Sequence, residues 1–288
     1  VTKHVQHPGP PSPIRLESHL GAAKSLTFAL EPGLSLRDAI ARPLQRAGLT
    51  AAGVTLRNVG FHPLRYVIPA FAPNADHAAY YSDTFSPPEP IEIDLANLTY
   101  GRRADGPFLH CHALWRDPAG ALRGGHLLPF EAIVATPGQA EAFGTADVEM
   151  LSDHDPETNF SLFRPIPLNP PQPGEQCLLA RIRPNEDLTE SIELLCRRHG
   201  IAHATIRTGV GSTIGLTFDD GRVIRERPTE HLILAGHVAP RQGNPTAHLT
   251  LAVIDVHGRV HQGAPARGEN PVLICFELVI QPKIEAPL

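Results

Sequence analysis

Three histidines carry the clearest chemistry in this sequence: His110, His112 and His126, all inside the run Gly106 to Pro129. Two side chains two residues apart on a strand project from one face, and His110 and His112 have that spacing. Both rings can then reach one ion at about 2.0–2.1 Å. Three imidazoles with a fourth position open to water make a catalytic type of zinc centre. There the ion lowers the pKa of bound water or polarises a carbonyl. Neutral imidazole also suits iron, manganese and nickel, so zinc is the expectation rather than the only fit. The competing reading is structural: sheet histidines satisfied by backbone groups and by one another.

The third ligand depends on hairpin register. Asp117-Pro118-Ala119-Gly120 is a turn sequence with strand-like flanks. A two-residue loop at Pro118-Ala119 sets His126 opposite Cys111, on the wrong face. A one-residue shift sets it opposite His110 or His112, and Gly124-Gly125 suggests a β-bulge as its source. Further candidates surround the cluster. Glu149, in Val148-Glu149-Met150, is a candidate general base or a carboxylate that supports a metal ligand from behind. Tyr81 is a candidate catalytic residue within Tyr80-Tyr81-Ser82-Asp83, and Arg123 or Arg103 a clamp for an anionic group. The polar run His154 to Phe160 either faces the hairpin or is a capped turn. Cys111 alternates away from its histidine neighbours and reads as core, while His62 and His77 have no assigned role.

The elements that must position these residues occur twice. Leu26 to Gly33 and Leu178 to Asn185 are both short alternating strands ending in a turn with proline. Helical spacing follows in Leu36, Ile40 and Leu44, and again in Leu188, Ile192 and Leu195. Gly48 and Gly200 stop the two helices. Pro32/Pro184, Leu36/Leu188, Ile40/Ile192 and Gly48/Gly200 all differ by 152, whereas His110/His248, Asp117/Asp255 and Gly120/Gly258 differ by 138. The first copy therefore holds about 14 extra residues, around Pro69 to Pro90. Later strands are expected from Val54, Ile91 and Phe108 in the first copy, and from Ala204, His231, Ala247 and Val272 in the second. The fold class is α+β: two tandem copies of a mostly antiparallel β-sheet domain with a packed helix. The domains are 14–163, carrying the three-histidine cluster, and 175–282, a degenerate copy, joined by a stiff proline-rich linker at 164–174. The 138 offset maps His112 to Thr250 and His126 to Ala264, so the second copy is not expected to bind the same metal.

Composition bounds the partners. The chain has 288 residues and a net charge of -5, without a basic run, which argues against a nucleic-acid partner. Four cysteines lack any C-x-x-C spacing and read as reduced thiols of a cytoplasmic protein. No apolar run is long enough to span a bilayer, so no membrane partner is expected, and Val1 to Pro13 has no signal-peptide character.

At the hairpin the sequence resembles the plants-and-prokaryotes conserved (PPC or PCC) domain. The family pattern is a G-x-H-x-H strand, a short D-x-x-G turn and then G-G-H-L, here matched by Pro107 to His112, Asp117 to Gly120 and Gly124 to Leu127. Gly209-Val210-Gly211-Ser212 in the second copy also looks like it. The resemblance is more specific in the first copy. It implies a sheet with a packed helix, homotrimers, and zinc held in some prokaryotic members by the histidines matching His110, His112 and His126. Plant members join the domain to AT-hooks and bind DNA, and this sequence contains no R-G-R-P hook. The leading expectation is a zinc-dependent enzyme acting on a small carbonyl or carboxylate metabolite. The alternative is a non-catalytic ligand-sensing or trimeric scaffold module, with DNA binding third.

Overall fold

The computed structural model describes residues 3–283. The first half runs β1 (Leu16–Ala22), β2 (Lys24–Ala29), α1 (Leu36–Arg46), β3 (Ala51–Phe61), β4 (Tyr66–Val67), β5 (Pro69–Ala70), β6 (Tyr80–Tyr81), β7 (Ile91–Arg103), β8 (Gly106–Arg116), β9 (Leu122–Leu127), β10 (Val134–Thr136), β11 (Gln139–Thr145), β12 (Val148–His154) and β13 (Ser161–Pro167). The second half runs β14 (Gln176–Ile182), α2 (Leu188–Arg198), β15 (Ala204–Thr217), β16 (Val223–Arg241), β17 (Asn244–Ile254), β18 (Val260–Gly263) and β19 (Val272–Pro282). This is the expected α+β arrangement of two sheet-rich units, each with one helix.

The same strand order occurs in both. The first sheet contains β2-β11-β3-β7-β8-β9 and the second β14-β19-β15-β16-β17-β18, and their pairings are antiparallel. The helices begin alike. Ser35 Oγ accepts from Asp38 N and Asp187 Oδ1 from Glu190 N, satisfying an orphan donor of the first turn. Each helix lays its apolar stripe on its own sheet. Leu36, Ile40 and Leu44 enter one core, and Leu188, Ile192 and Leu195 the other, all fully buried.

The halves are interlocked. β1, at the start of the first half and inside the expected first domain 14–163, pairs instead with β14 as the edge of the second sheet. Apolar clusters also lie along the seam, one joining Phe143, Met150 and Phe163 to Leu179 and Val279, another joining Leu114 to Val210 and Leu232. A buried ionic network ties the same seam. Asp155 receives Arg181 at 3.2 Å and Arg183 at 2.8 Å, Arg15 reaches Glu157 at 2.8 Å, and Arg181 also bonds Glu17. The run His154 to Phe160 is thus a turn clamped from within. Asp155 Oδ1 accepts from the backbone of Glu157 and Thr158, and the other oxygen binds the second unit. Among the described residues no helix is long and apolar enough to cross a membrane.

Candidate metal centre

The hairpin brings the three histidines to one face. His112 stands directly opposite His126, and Arg116 opposite Leu122, with no break in the β8–β9 ladder. The one-residue shift comes from the turn and not from a bulge at Gly124-Gly125. The Asp117 N–H bonds Ala121 O, which makes the loop Pro118 to Gly120 three residues long, and Gly120 takes φ +82°. A left-handed third loop residue is what glycine supplies without steric cost. Asp117 Oδ1 secures the turn by accepting from Ala119 N and Ala121 N. Gly124 and Gly125 serve close approach instead. A Cβ on Gly125 would lie 2.8 Å from Val67 O, and one on Gly124 2.7 Å from the Ile254 side chain.

The ring centres of His110, His112 and His126 lie 4.7, 5.0 and 5.3 Å apart. One nitrogen from each falls within 4.8 Å of the others. Hydrogen bonds on the far side of two rings decide which nitrogens converge. His112 Nδ1 lies 2.7 Å from the carbonyl of His231, which can only accept, so Nδ1 carries the proton and Nε2 the lone pair. His110 Nδ1 lies 3.0 Å from Glu277 Oε1, which assigns that ring in the same way. The two Nε2 atoms then face each other at 3.1 Å. Donor atoms about 2.0–2.1 Å from a shared ion stand roughly 2.9–3.4 Å apart in octahedral to tetrahedral arrangements. His126 Nδ1 is buried without a hydrogen-bond partner. A divalent ion fits these residues: converging lone pairs, an orphaned nitrogen, and outer hydrogen bonds that fix the tautomers.

A proton competes for the same place. Burial pushes the His110 pKa down, but the Glu277 charge and hydrogen bond, aided by Glu230, outweigh it and leave it raised. Burial, with the charges of His110 and His126, pushes His112 well down. His112 therefore stays neutral, and the second proton, when present, sits on His110. His231 is kept neutral by burial, at about 3, and its Nε2 meets the Thr213 and Thr229 hydroxyls.

A cleft opens onto His110 and His112. The inserted segment of the first unit forms one wall, with Pro69, Ala79, Tyr80 and Tyr81, and Gly211, Ser212 and Glu230 of the second unit form another. Tyr81 meets His126 edge-on, with ring centres 5.1 Å apart. Tyr81 is 38% exposed, but loss of hydration around its hydroxyl and the negative charges of Glu230 and Glu277 push that group well up, so it holds its proton at neutral pH.

Other candidates lie elsewhere. Glu149 is not a base at this site: Arg102 binds both its oxygens, at 2.6 and 2.8 Å, and it does not line the cleft. Arg123 is no clamp either. It lies three residues from His126, so strand alternation points it to the opposite face, where it bonds Asp117 at 2.9 Å. Arg103 stacks over the Phe108 ring at 3.6 Å. Among the described residues no Lys or Arg lines the cleft. Cys111 is fully buried in the first core, and burial pushes its thiol far up. His77 packs against Tyr80 and Phe160, and His62 stays outside the cluster. No local motif marks Glu230, Glu277 or His231 as parts of the site. Glu230 lies 138 positions after Glu92, and that recurrence was the available signal.

The second unit brings no equivalent set together. His248, Thr250 and Ala264 stand where the first unit has histidines, and His248 stacks on His237 at 4.9 Å. His261 bonds Asp255 of its own turn at 3.0 Å. Among the described residues, the three-histidine set is the one grouping suited to a metal.

Solved structures similar to this chain each span about half of it. A metal-containing protein of Archaeoglobus fulgidus is 22% identical, covers 51% of this chain and 96% of its own, and has a TM-score of 0.40. A plant- and prokaryote-conserved protein of Pyrococcus horikoshii is 18% identical over 52% of this chain and 96% of its own, with a TM-score of 0.37. A hypothetical protein of Salmonella enterica is 17% identical over 51% and 96%, with a TM-score of 0.38. No protein with a curated description matches. The sequence resemblance rests most on the histidine-bearing first half, yet the residues that match a family model lie in the second: residues 171–282 match the Plants and Prokaryotes Conserved (PCC) domain.

Proposed function

We propose that this protein is a divalent-metal enzyme, with zinc as the expected ion, in which His110, His112 and His126 hold the metal and a small carbonyl-bearing metabolite enters the adjoining cleft. The observation that carries this reading is the 3.1 Å approach of His110 Nε2 to His112 Nε2, with both Nδ1 atoms engaged elsewhere. A bound ion of this class supplies Lewis acidity and lowers the pKa of a coordinated water. The chain's own residues supply the rest. Glu277 and the His231 carbonyl hold two rings in the ligating tautomer. Tyr81 offers a protonated hydroxyl at the cleft wall, suited to orienting a substrate oxygen or holding a proton there. Apolar lining from Pro69, Ala79 and Leu273 excludes water. The lack of a cationic side chain in the described lining favours an uncharged carbonyl over a carboxylate that would need an arginine partner.

The matching strand orders and the constant sequence offsets support a tandem duplication, in which the first copy ligates and the second serves as an outer wall. Metal analysis of protein purified without chelator tests the centre. About one ion per chain is expected, with little left in His112→Ala. A metal-free wild-type protein that also refuses added zinc ends the proposal. Turnover of a panel of small aldehydes and ketones, compared between wild type and Tyr81→Phe, then tests the enzymatic step.

A further inference from the structure

We infer that Glu230, contributed by the second unit, is a fourth protein ligand of this metal. The assignment rests on the three-histidine reading and adds to it a carboxylate from the opposite half of the chain. Glu230 lies on β16, and its Oε1 stands 3.7 Å from His112 Nε2 and 3.7 Å from His126 Nδ1. Neighbouring donor atoms around one ion are roughly 2.9–3.4 Å apart. Glu230 Oε1 is therefore a few tenths of an ångström beyond that spacing from two of the three imidazoles, within the reach of a small side-chain rotation. A carboxylate held off the metal by an intervening water would stand farther back.

The surroundings of Glu230 point the same way. The residue is 5% exposed, and its Oε2 has no hydrogen-bond partner. Its ion-pair partners among the described residues are His112 and His126, with no Lys or Arg. A buried carboxylate without a cation carries a desolvation cost of several kcal/mol, which a divalent ion at the focus of the imidazoles offsets. The other half of the molecule provides an internal reference. In the β16–β17 ladder His231 pairs with Val253, and in the β7–β8 ladder Ile93 pairs with Trp115, so Glu230 and Glu92 occupy equivalent positions. Glu92 is exposed. The same side chain in the same strand becomes a ligand where docking of the halves turns it toward the histidines. The resulting set of three imidazoles and one carboxylate halves the net charge of the filled centre.

Cobalt(II) titration of the full-length chain tests the assignment, with affinity read by chelator competition and coordination by the visible absorption bands. Glu230→Gln, which keeps the shape of the side chain, should weaken cobalt binding by at least about 10–100-fold, since even outer-sphere partners contribute that much. It should also change the band positions and intensities. Glu92→Gln should do neither. Thermal melting of the metal-free proteins confirms that each variant is folded, and Glu230→Asp, which keeps the carboxylate but shortens it, should fall between Glu230→Gln and wild type. Unchanged affinity in Glu230→Gln overturns the assignment. So does a weakened site with an unchanged spectrum, because the carboxylate then lies outside the donor set. A wild-type chain that takes up no cobalt instead overturns the three-histidine centre itself.

Discussion

The hairpin β8–β9 and the hairpin β17–β18 are built on one plan and end in different chemistry. Asp117 and Asp255 each collect two backbone N–H groups of their turn, and Gly120 and Gly258 both take positive φ, at +82° and +69°. Arg116 pairs with Leu122 as Ile254 pairs with Val260, so the ladders start in the same register. The first hairpin presents His110, His112 and His126 to the second unit, which meets them with Glu277, Glu230 and the His231 carbonyl. The second hairpin leaves His248 and Thr250 exposed. A strand pair of this kind therefore supplies positions only. Its histidines become a site when a second surface covers them and engages their far nitrogens.

The comparison can be broken most sharply at the turn. Deleting Gly120 shortens the loop to two residues and returns residue 126 to the opposite face. Metal affinity should fall by more than about 100-fold, beyond the usual effect of outer partners. Chelator competition measures it, and an undiminished affinity would separate the turn from the site. Glu277→Gln removes the acceptor that orients His110, with an expected loss of roughly 10–100-fold in the same assay. The converse experiment builds on the second hairpin. Thr250→His with Ala264→His should give a second metal ion per chain, bound roughly 10–100-fold more weakly than the first, because no carboxylate or carbonyl anchors its rings. Equal affinity at both hairpins would show that the covering surface contributes nothing.

Docking of the halves is itself testable. Asp155→Asn strips a carboxylate from buried Arg181 and from Arg183 and should destabilise the protein by about 3 kcal/mol. Burial acts upward on Asp155 and Glu157, but the charges of Arg183 and Arg181 on the first and the Arg15 hydrogen bond on the second hold both below the ordinary carboxylate range. Groups depressed in the folded state contribute stability that is complete above the unfolded pKa and is lost as pH falls through the folded one. The melting temperature should thus drop below about pH 4, less steeply in Asp155→Asn. The smallest effect is expected at Arg123, whose bond to Asp117 is a partly exposed surface pair. Arg123→Ala should cost less than about 1 kcal/mol and leave metal binding unchanged.

Much of the frame was legible before any coordinates. The i, i+4 spacing in Leu36, Ile40 and Leu44 and the stop at Gly48 marked α1, and Leu188, Ile192 and Gly200, 152 positions on from Leu36, Ile40 and Gly48, marked α2 together with Leu195. The two-residue spacing of His110 and His112 was enough to place both on one face. The register of His126 reduces to a one-residue question, and its answer lies in a three-residue loop with Gly120 left-handed rather than in a bulge. Both solutions satisfy the same local sequence. Glu149 and Arg123 looked available because the sequence does not reveal that Arg102 and Asp117 engage them.

By itself, then, the chain's sequence determined the repeated strand–helix units, the turn chemistry and the shared face of His110 and His112. These depend on side chains within a few residues of one another. Only the tertiary structure decided that His110 meets Glu277, 167 positions away, and that His112 meets the His231 carbonyl, 119 positions away. It also decided that Glu230 is buried while Glu92 is not. The physical reason is docking: which face of each sheet loses water depends on how the two halves pack, and no local spacing encodes that.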